Sequence, residues 1–184
     1  MCSSDLVERI EAIVQRLLDF ARPRPLQLEQ VPSTRLAAEA IAMSAPLLQR
    51  RAITLEQQVG EHGQATALAD RKQIGQALLN LILNAAYVTP DGGTILVQLR
   101  RRTGQCGLAV VDSGPGIPPE LRTRVLDPFF STKPEGEGTG LGLSVTRSIV
   151  DAHGGELTFE FPQTGGTTAT IWLREAPAGD LVVA

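Results

Sequence analysis

The 184-residue chain has few of the residues that build disulfide frameworks or metal clusters, with two cysteines (Cys2 and Cys106) and two histidines (His62 and His153). Two cysteines cannot form a disulfide framework, and these lack the spacing of paired metal ligands, so we expect reduced thiols. No apolar run approaches the roughly 18 residues needed to span a bilayer, and no signal peptide is visible. These absences predict a cytoplasmic location. A membrane span elsewhere in a longer parent protein stays open.

The chain also lacks a strong charge imbalance, because its formal net charge is -3 at pH 7. Such a balance gives no reason to expect a nucleic-acid partner. The one basic run, Arg100 to Arg102, follows the alternating stretch TILVQL, which is typical of a half-buried strand. We therefore interpret the run as the solvated end of that strand. The composition, 42% apolar and 20% charged, is that of an ordinary globular protein.

Residues 1–22 have the pattern of a helix that packs against other helices, with Pro23 as its end. Apolar residues recur there at intervals of four and three, which is a heptad seam: Leu6, Ile10, Ile13, Leu17 and Phe20. A single helix cannot bury its own seam, so its destination is either the following domain or partner helices outside the chain. The Arg-Pro-Arg-Pro break argues for a hinge at residues 23–25 and favours partner helices.

Helical and strand-like segments alternate after the hinge, through a domain that we place at residues 26–175, before a tail at residues 176–184. Three helices are expected: from a Ser33 cap to about Arg51, from an Asp70 cap through Tyr87, and from about Leu141 to His153. The strand-like segments are LQLEQV, ITLEQQV, ATALA, Thr94 to Leu99, Gly107 to Val111, ELTFEF and TTATIWL. This order predicts an α+β fold, with an antiparallel or mixed sheet and helices on one face.

The stretch from Ser113 to about Gly138 has no regular pattern and is rich in proline, glycine and charge. Connections longer than about 12–15 residues are usually functional lids or disordered segments. Three clusters of polar residues and glycines stand out along the chain. They are Asn80 and Asn84 in the apolar helix LLNLILNAAYV, Asp112 in VVDSGPGIPPE, and the glycines of EGEGTGLGLSV.

Each cluster has a chemical property that suits a nucleotide. A helix N-terminus preceded by glycines presents unpaired N–H groups, which favour phosphate. An aspartate at a strand end beside two glycines can accept a hydrogen bond from an exocyclic amine such as that of adenine. Asn84 lies four residues after Asn80 on the same helix face, and an amide oxygen is a suitable Mg²⁺ ligand. Taken singly, each cluster is equally compatible with a turn, a cap or a buried amide.

In this order the motifs resemble the ATP-binding domain of sensor histidine kinases, within the superfamily that includes gyrase, the heat-shock chaperone and mismatch-repair ATPases. NLILNA resembles the family's N box, DSGPGI its first glycine box, DPFFSTK its F box and GTGLGLS its second glycine box, and GGTTATIWL is similar to the closing strand. The resemblance covers about residues 26–173. It implies a two-layer α/β sandwich of the Bergerat type, with ATP between the helical layer and the lid.

The resemblance also implies roles for individual residues. Asn84 would bind Mg²⁺, Asp112 would hold the adenine amine, and Asn84 with Lys133 would act in catalysis. Phe129 and Phe130 would anchor the lid. The full set of implied nucleotide contacts is Asn80, Asn84, Tyr87, Asp112, Gly114, Gly116, Ile117, Thr132, Lys133, Gly138, Thr139, Gly140, Leu141, Gly142, Leu143 and Thr167. Many family members have Lys or Arg where this chain has Tyr87.

Asn80 occupies the position where ATP-hydrolysing relatives place a glutamate that activates water. An amide is not a general base at neutral pH, so the resemblance favours phosphoryl transfer to a supplied nucleophile over hydrolysis. A neutral imidazole needs no strong base, and the work of such a site is positioning and charge stabilisation. The alternatives are an ATPase of the same superfamily and a regulatory nucleotide-binding module without phosphotransfer.

The family's phosphoacceptor histidine has no counterpart here, because neither His62 nor His153 lies in a suitable motif. We interpret both as structural, with His153 placed to interact favourably with a helix dipole. The stretch RIEAIVQRLLDFARP resembles the second helix of the family's dimerising hairpin. The sequence is thus expected to be a kinase fragment. The implied partners are a phosphoacceptor helix, a response-regulator receiver domain and a second copy of the parent protein.

Overall fold

The computed structural model describes residues 25–60, 65–134 and 138–177. Within these ranges the chain forms seven strands and three α-helices. The strands are β1 (Glu29–Pro32), β2 (Thr54–Val59), β3 (Thr66–Ala69), β4 (Thr94–Arg102), β5 (Gln105–Val111), β6 (Glu156–Glu160) and β7 (Thr168–Arg174). The helices are α1 (Ser33–Gln49), α2 (Arg71–Val88) and α3 (Gly142–Ala152), and a 3-10 turn covers Pro119–Leu121. The predicted order of elements is confirmed. Cys2, His62 and the heptad helix lie outside the described residues.

Five strands form one sheet in the order β2-β4-β5-β7-β6. The β2–β4 pair is parallel and the other pairs are antiparallel, which confirms a mixed sheet. All three helices pack over the same core beside this sheet, as expected for an α+β sandwich. Strands β1 and β3 form a separate antiparallel pair, which the sequence pattern does not predict.

Alternation along β4 separates the core from the solvent. Ile95, Val97 and Leu99 are buried, because successive side chains of a strand point to opposite faces. The basic run ends this strand, as predicted, and each arginine forms an ion pair with a glutamate on the last strands or just after them: Arg100 with Glu160, Arg101 with Glu175, and Arg102 with Glu156. The three arginines of this run are therefore paired with carboxylates of the same domain.

Two predicted helix caps have different outcomes. The Asp70 carboxylate accepts hydrogen bonds from the backbone N–H groups of Lys72 and Gln73, which confirms it as the cap of α2. The predicted Ser33 cap is wrong, because the capping position of α1 is Pro32 and no side chain caps that helix. The Ser33 hydroxyl instead accepts a hydrogen bond from the backbone N–H of Ala65, at 3.4 Å.

His153 joins the N-terminus of α2 to the C-terminus of α3. Its Nε2 accepts a hydrogen bond from the Asp70 backbone N–H at 3.0 Å, and its Nδ1 lies 2.7 Å from the Ile149 carbonyl oxygen. A backbone N–H can only donate, so Nε2 carries no proton and Nδ1 donates to Ile149. The structural role predicted for His153 is confirmed. It works through hydrogen bonds of a neutral ring, however, and not through an imidazolium at the helix dipole.

Cys106 is buried in the core, and burial raises the pKa of its thiol to about 11. The thiolate is the reactive form of cysteine, so at neutral pH this residue is a protonated thiol that packs as an apolar side chain in the core. Within the described ranges, no helix is both long enough and apolar enough to cross a membrane.

Candidate functional site

Asp112 follows the last residue of β5, and its carboxylate is fixed by the backbone around it. Its Oδ1 accepts hydrogen bonds from the N–H of Gly114 at 2.9 Å and from the N–H of Thr167 at 3.2 Å. The Asp112 N–H donates in turn to the Thr167 carbonyl oxygen. Both of these side-chain hydrogen bonds end on Oδ1, which leaves Oδ2 as the acceptor for an incoming donor. Thr167, one of the implied nucleotide contacts, thus touches Asp112 through its backbone.

Partial burial raises the pKa of Asp112 above its ordinary value, and the hydrogen bonds from Gly114 and Thr167 only partly offset that effect. A carboxylate that has lost part of its hydration gains more from a donor that replaces the lost water. An exocyclic amine is such a donor. The geometry and the electrostatics of Asp112 therefore both fit an adenine amino group.

Glycines allow the chain to fold closely around Asp112. A Cβ on Gly114 would lie 2.8–3.0 Å from atoms of Val88 and Asp112. Gly116 has φ +80, and a Cβ there would lie 3.0 Å from the Gly166 carbonyl oxygen. Gly166 itself donates its N–H to the Gly114 carbonyl oxygen at 2.7 Å. Gly165 and Gly166 thus belong to the backbone that surrounds the Asp112 carboxylate. They were not among the predicted contacts, although a double glycine immediately before a strand was a visible signal.

The two asparagines of α2 both face the start of α3, as their spacing predicts. Asn80 donates a hydrogen bond from Nδ2 to the Gly142 carbonyl oxygen at 3.4 Å. A Cβ on Gly142 would lie 3.7 Å from the Asn84 Nδ2, so the helices approach closely here. A small pocket lies between the two helices, lined by Gln76, Asn80, Leu141, Gly142 and Val145. Gln76 was not predicted.

Lys133 reaches from the irregular segment to the middle of α2. Its Nζ lies 3.4 Å from the Asn84 Oδ1 and 4.3 Å from the centre of the Tyr87 ring. An ammonium group is therefore within hydrogen-bond distance of the amide oxygen that sequence assigned to a metal. This oxygen is compatible with a hard cation, because it already accepts from a positively charged donor.

The N-terminus of α3 has the features of an anion site. Its capping position is Leu141, no side chain caps it, and its first turn holds no acidic residue. Gly142, the first residue of this helix, lies next to the Asn84 amide, because a Cβ built on it would be 3.7 Å from Asn84 Nδ2. The loop before it is tight: Gly140 has φ +66, and a Cβ there would lie 2.4 Å from the Phe129 carbonyl carbon. Phe129 itself has φ 65 and is 67% exposed.

The remaining predicted contacts differ in what their side chains can reach. Leu141 is buried in the core and Leu143 packs against it, so only their backbones face the site. The Ile117 carbonyl oxygen accepts from the Arg122 Nε, and Thr139 Oγ1 accepts from the Leu141 N–H. Thr132 and Gly138 are exposed beside Lys133.

Asp112 and Asn84 lie at the two ends of one surface beside the last turns of α2, which we call the groove. Val88, the last residue of α2, lies directly against Gly114. Asn84 precedes Val88 by one helical turn, which is about 6 Å along the axis. The groove therefore offers a base acceptor at one end and an amide, an ammonium group and a helix N-terminus without a side-chain cap at the other, as a nucleoside polyphosphate requires.

The direction of the Asp112 pKa shift predicts how nucleotide binding changes with pH. The expected adenine amine would bind the charged carboxylate, so affinity for ADP should be constant above the raised pKa of Asp112 and fall as pH drops through it, by up to about tenfold per unit below it. Calorimetric titration of ADP at a series of pH values measures this slope. The phosphates of ADP also titrate, and they affect the wild-type protein and the Asp112→Asn variant alike. The ratio of the two affinities therefore reports the titration of the Asp112 carboxyl alone. A ratio that does not change with pH would contradict the assignment of Asp112 to the adenine amine.

Residues 69–177 match the family described as histidine kinase-, DNA gyrase B-, and HSP90-like ATPase. The chain is 33% identical over 167 residues to the sensor histidine kinase ZraS of Salmonella typhi, covering 90% of this chain and 35% of that protein. It is 32% identical over 179 residues to the histidine-protein kinase AtoS of Escherichia coli K12, covering 96% and 29%. The chain thus spans about a third of the length of these curated relatives.

Solved structures show the same architecture. The mycobacterial sensor histidine kinase MprB superposes with a TM-score of 0.69 at 33% identity, over 82% of this chain and 99% of that one. Full-length ShkA, crystallised with AMPPNP, gives 0.80 at 26% identity, over 92% and 36%. Histidine kinase ThkA, crystallised with the response regulator protein TrrA, gives 0.78 at 27% identity, over 96% and 50%.

Proposed function

Since this chain belongs to the family of histidine kinase-, DNA gyrase B- and HSP90-like ATPases, we propose that it is the ATP-binding catalytic part of a sensor histidine kinase. In this proposal the γ-phosphoryl group of ATP passes to a histidine outside the printed sequence. The groove between Asp112 and the Asn84–Lys133 contact supports it, because its two ends match the two ends of ATP.

Each end of the groove has a defined task in the proposal. The Asp112 carboxylate accepts the adenine amine, and Gly114 and Gly116 let the chain fold closely around that carboxylate. The phosphates lie at the uncapped start of α3, where N–H groups and the helix dipole favour negative charge. Lys133 adds a positive charge from the irregular segment.

A divalent cation, Mg²⁺, is part of the proposal, and Asn84 is the residue that would hold it. The amide oxygen of Asn84 fits this role, because it lies at the phosphate end of the groove and already accepts from an ammonium group. The cation would neutralise phosphate charge during transfer, and such ions usually keep water and phosphate as their other ligands.

Asn80 is the residue that favours a kinase over an ATPase in this proposal. Its amide faces the start of α3 and donates to the Gly142 carbonyl oxygen at 3.4 Å, in the place where a water-activating base would have to act. An amide cannot take a proton from water at neutral pH. The groove therefore positions and polarises the phosphoryl group, and the nucleophile must come from elsewhere.

The nucleophile and the signalling partner belong to the same proposal. The acceptor is the histidine of a dimerising helical hairpin, to which residues 1–22 would contribute the second helix in a homodimeric parent protein. ThkA was crystallised with a response regulator, and a receiver domain of that class is the proposed phosphoryl recipient here. The reduced state expected for the cysteines supports a cytoplasmic location.

Transfer to an added acceptor tests the function directly. This chain, incubated with radiolabelled ATP, Mg²⁺ and the intact phosphoacceptor hairpin of a relative such as AtoS, should label the hairpin with a base-stable, acid-labile phosphohistidine. The Asn84→Ala variant should lower the rate by about 100-fold or more, because the developing charge loses its stabilising cation. The matched control is Gln49→Ala, at the far end of α1.

The alternative functions give different results in the same assay. Steady phosphate release without any hairpin would identify an ATPase and overturn the kinase proposal. The hairpin must first be shown to accept phosphate from its own kinase. If this chain then binds nucleotide but neither labels that hairpin nor hydrolyses ATP, it is a regulatory binding module.

A further inference from the structure

Among the described residues, Lys133 contacts Asn84 and Tyr87 at the phosphate end of the groove. Its ammonium group lies 3.4 Å from the Asn84 Oδ1 and 4.3 Å above the centre of the Tyr87 ring. Asn84 and Tyr87 lie on the same side of α2, three residues apart. A cation over an aromatic face and beside an amide oxygen is stabilised by both groups. The lysine is therefore held at this position by two residues of α2.

The main chain around Lys133 also supports this position. The Lys133 N–H donates to the Ser131 hydroxyl at 3.1 Å. A Cβ on Gly138 would lie 2.8 Å from that hydroxyl and 3.0 Å from Lys133 Cδ. Gly138 thus leaves the space through which the stem of the lysine passes to reach α2. The contact with Asn84 is built by several residues and is not a chance orientation of one surface side chain.

We propose that Tyr87 positions the Lys133 ammonium group on the Asn84 amide oxygen, so that the lysine occupies the metal ligand before nucleotide binds and must leave when a metal–nucleotide complex enters. This inference rests on the proposed role of Asn84 as the metal ligand. It makes the lysine a built-in counter-cation, which competes with Mg²⁺ for one oxygen atom. Tyr87 is then a positioning residue, and its exposed ring is explained by the cation above it.

Competition makes a specific prediction about the effect of Mg²⁺ on ADP affinity. In wild-type protein Lys133 partly substitutes for Mg²⁺ in the metal-free complex and opposes it in the metal-bound complex. The Lys133→Met variant should therefore show a larger ratio of ADP affinity with Mg²⁺ to affinity without it, by on the order of fivefold. ADP is used because it has no γ-phosphate, and the Lys72→Met variant shows how far loss of one positive charge alone changes the ratio. Isothermal titration calorimetry measures both affinities.

The chain offers a matched control, because Lys72 is its only other lysine. Lys72 is exposed at the start of α2, twelve residues before Asn84 and therefore about 18 Å away along the helix. The Lys72→Met variant removes the same charge and the same stem. It should leave the Mg²⁺ ratio unchanged. An equal change in both variants would overturn the proposal.

Tyr87 is the only tyrosine in the chain, so 3-fluorotyrosine incorporation places a single ¹⁹F probe beneath the lysine. The ¹⁹F resonance should move when Mg-ADP is added and stay near its starting position when metal-free ADP is added. In the Lys133→Met protein without nucleotide, the ¹⁹F resonance should differ from its wild-type position, and it should move less when Mg-ADP is added. The Tyr87→Phe variant keeps the aromatic face and should keep the wild-type Mg²⁺ ratio, whereas Tyr87→Leu should approach the Lys133→Met ratio.

Two results separate this inference from the proposed function. If Lys133→Met has the wild-type Mg²⁺ ratio, or if both forms of ADP move the ¹⁹F resonance equally, the lysine does not compete with the metal and the inference fails. The proposed function still stands in that case, provided that Asn84→Ala abolishes the Mg²⁺ enhancement. If Asn84→Ala keeps the full enhancement, Asn84 is not the metal ligand, and both fail.

Discussion

Replacing Asp112 with asparagine is expected to lower the affinity for Mg-ATP by about 100-fold, because a hydrogen bond to a charged acceptor contributes about 1.5–3 kcal/mol. Asparagine retains the shape of the side chain, and its carbonyl oxygen can still accept from the N–H groups of Gly114 and Thr167. Its NH₂ group then stands where Oδ2 was. The adenine amine would meet a donor instead of an acceptor.

The same substitution should not lower stability. Burial raises the pKa of Asp112, which means that holding the carboxylate charged costs free energy in the folded state. Removing the charge removes that cost, so the unfolding temperature without nucleotide should stay the same or rise. Loss of nucleotide affinity without loss of stability distinguishes a ligand contact from a structural residue.

Thermal unfolding and calorimetric titration of Asp112→Asn measure the two effects. Asp151→Asn is the matched control, because Asp151 is an exposed aspartate on α3 and should bind Mg-ATP normally. The variant should also lose preference for ATP over GTP, since an NH₂ donor suits the guanine carbonyl. If the Asp112→Asn variant bound Mg-ATP with wild-type affinity, Asp112 would not be the residue that binds the adenine base.

The features predicted well from sequence are those whose cause is local. Asp70 caps α2 through hydrogen bonds to residues two and three positions later, and this pattern needs no tertiary information. Asn80 and Asn84 share a helix face because they are four residues apart. Strand alternation identified the buried face of β4 for the same reason. In each case the interacting groups are close in sequence.

The features that sequence missed depend on contacts between distant segments. Ser33 stands where a capping residue should, but its hydroxyl is engaged with Ala65 across the β1–β3 pair. Lys133 reaches Tyr87 and Asn84 only because the irregular segment folds back over α2. Neither contact follows from spacing or composition. The role of residues 1–22 stays a prediction, since they lie outside the described residues.

Gly165 and Gly166 illustrate the same limit inside the candidate site. They lie more than fifty residues from Asp112, and only the pairing of β5 with β7 brings them together. That pairing continues beyond the strands, because the Asp112 N–H donates to the Thr167 carbonyl oxygen. The position of the carboxylate is therefore set by the turn before β7 as much as by its own strand.

Replacing Gly166 with alanine should consequently damage the base end of the groove more than any neighbouring glycine substitution. Gly166 has φ +81, and a Cβ there would lie 2.3 Å from the Asp112 carbonyl oxygen. The obstacle is backbone, so either Asp112 or the turn must move, and the hydrogen bonds to the carboxylate move with it. We expect ATP affinity to fall by about tenfold or more and the free energy of unfolding to fall by about 3 kcal/mol.

Gly165→Ala separates the clash from the backbone strain. Gly165 also has a positive φ, of +93, but a Cβ there would meet only the Gly114 carbonyl oxygen, at 3.4 Å, which is ordinary contact. This variant bears the conformational cost alone, about 1–2 kcal/mol, and should bind ATP nearly as wild type. Urea unfolding and calorimetric titration of the two alanine variants measure the difference. Equal losses of affinity would mean that general loosening of the turn, and not displacement of Asp112, governs the base end of the groove.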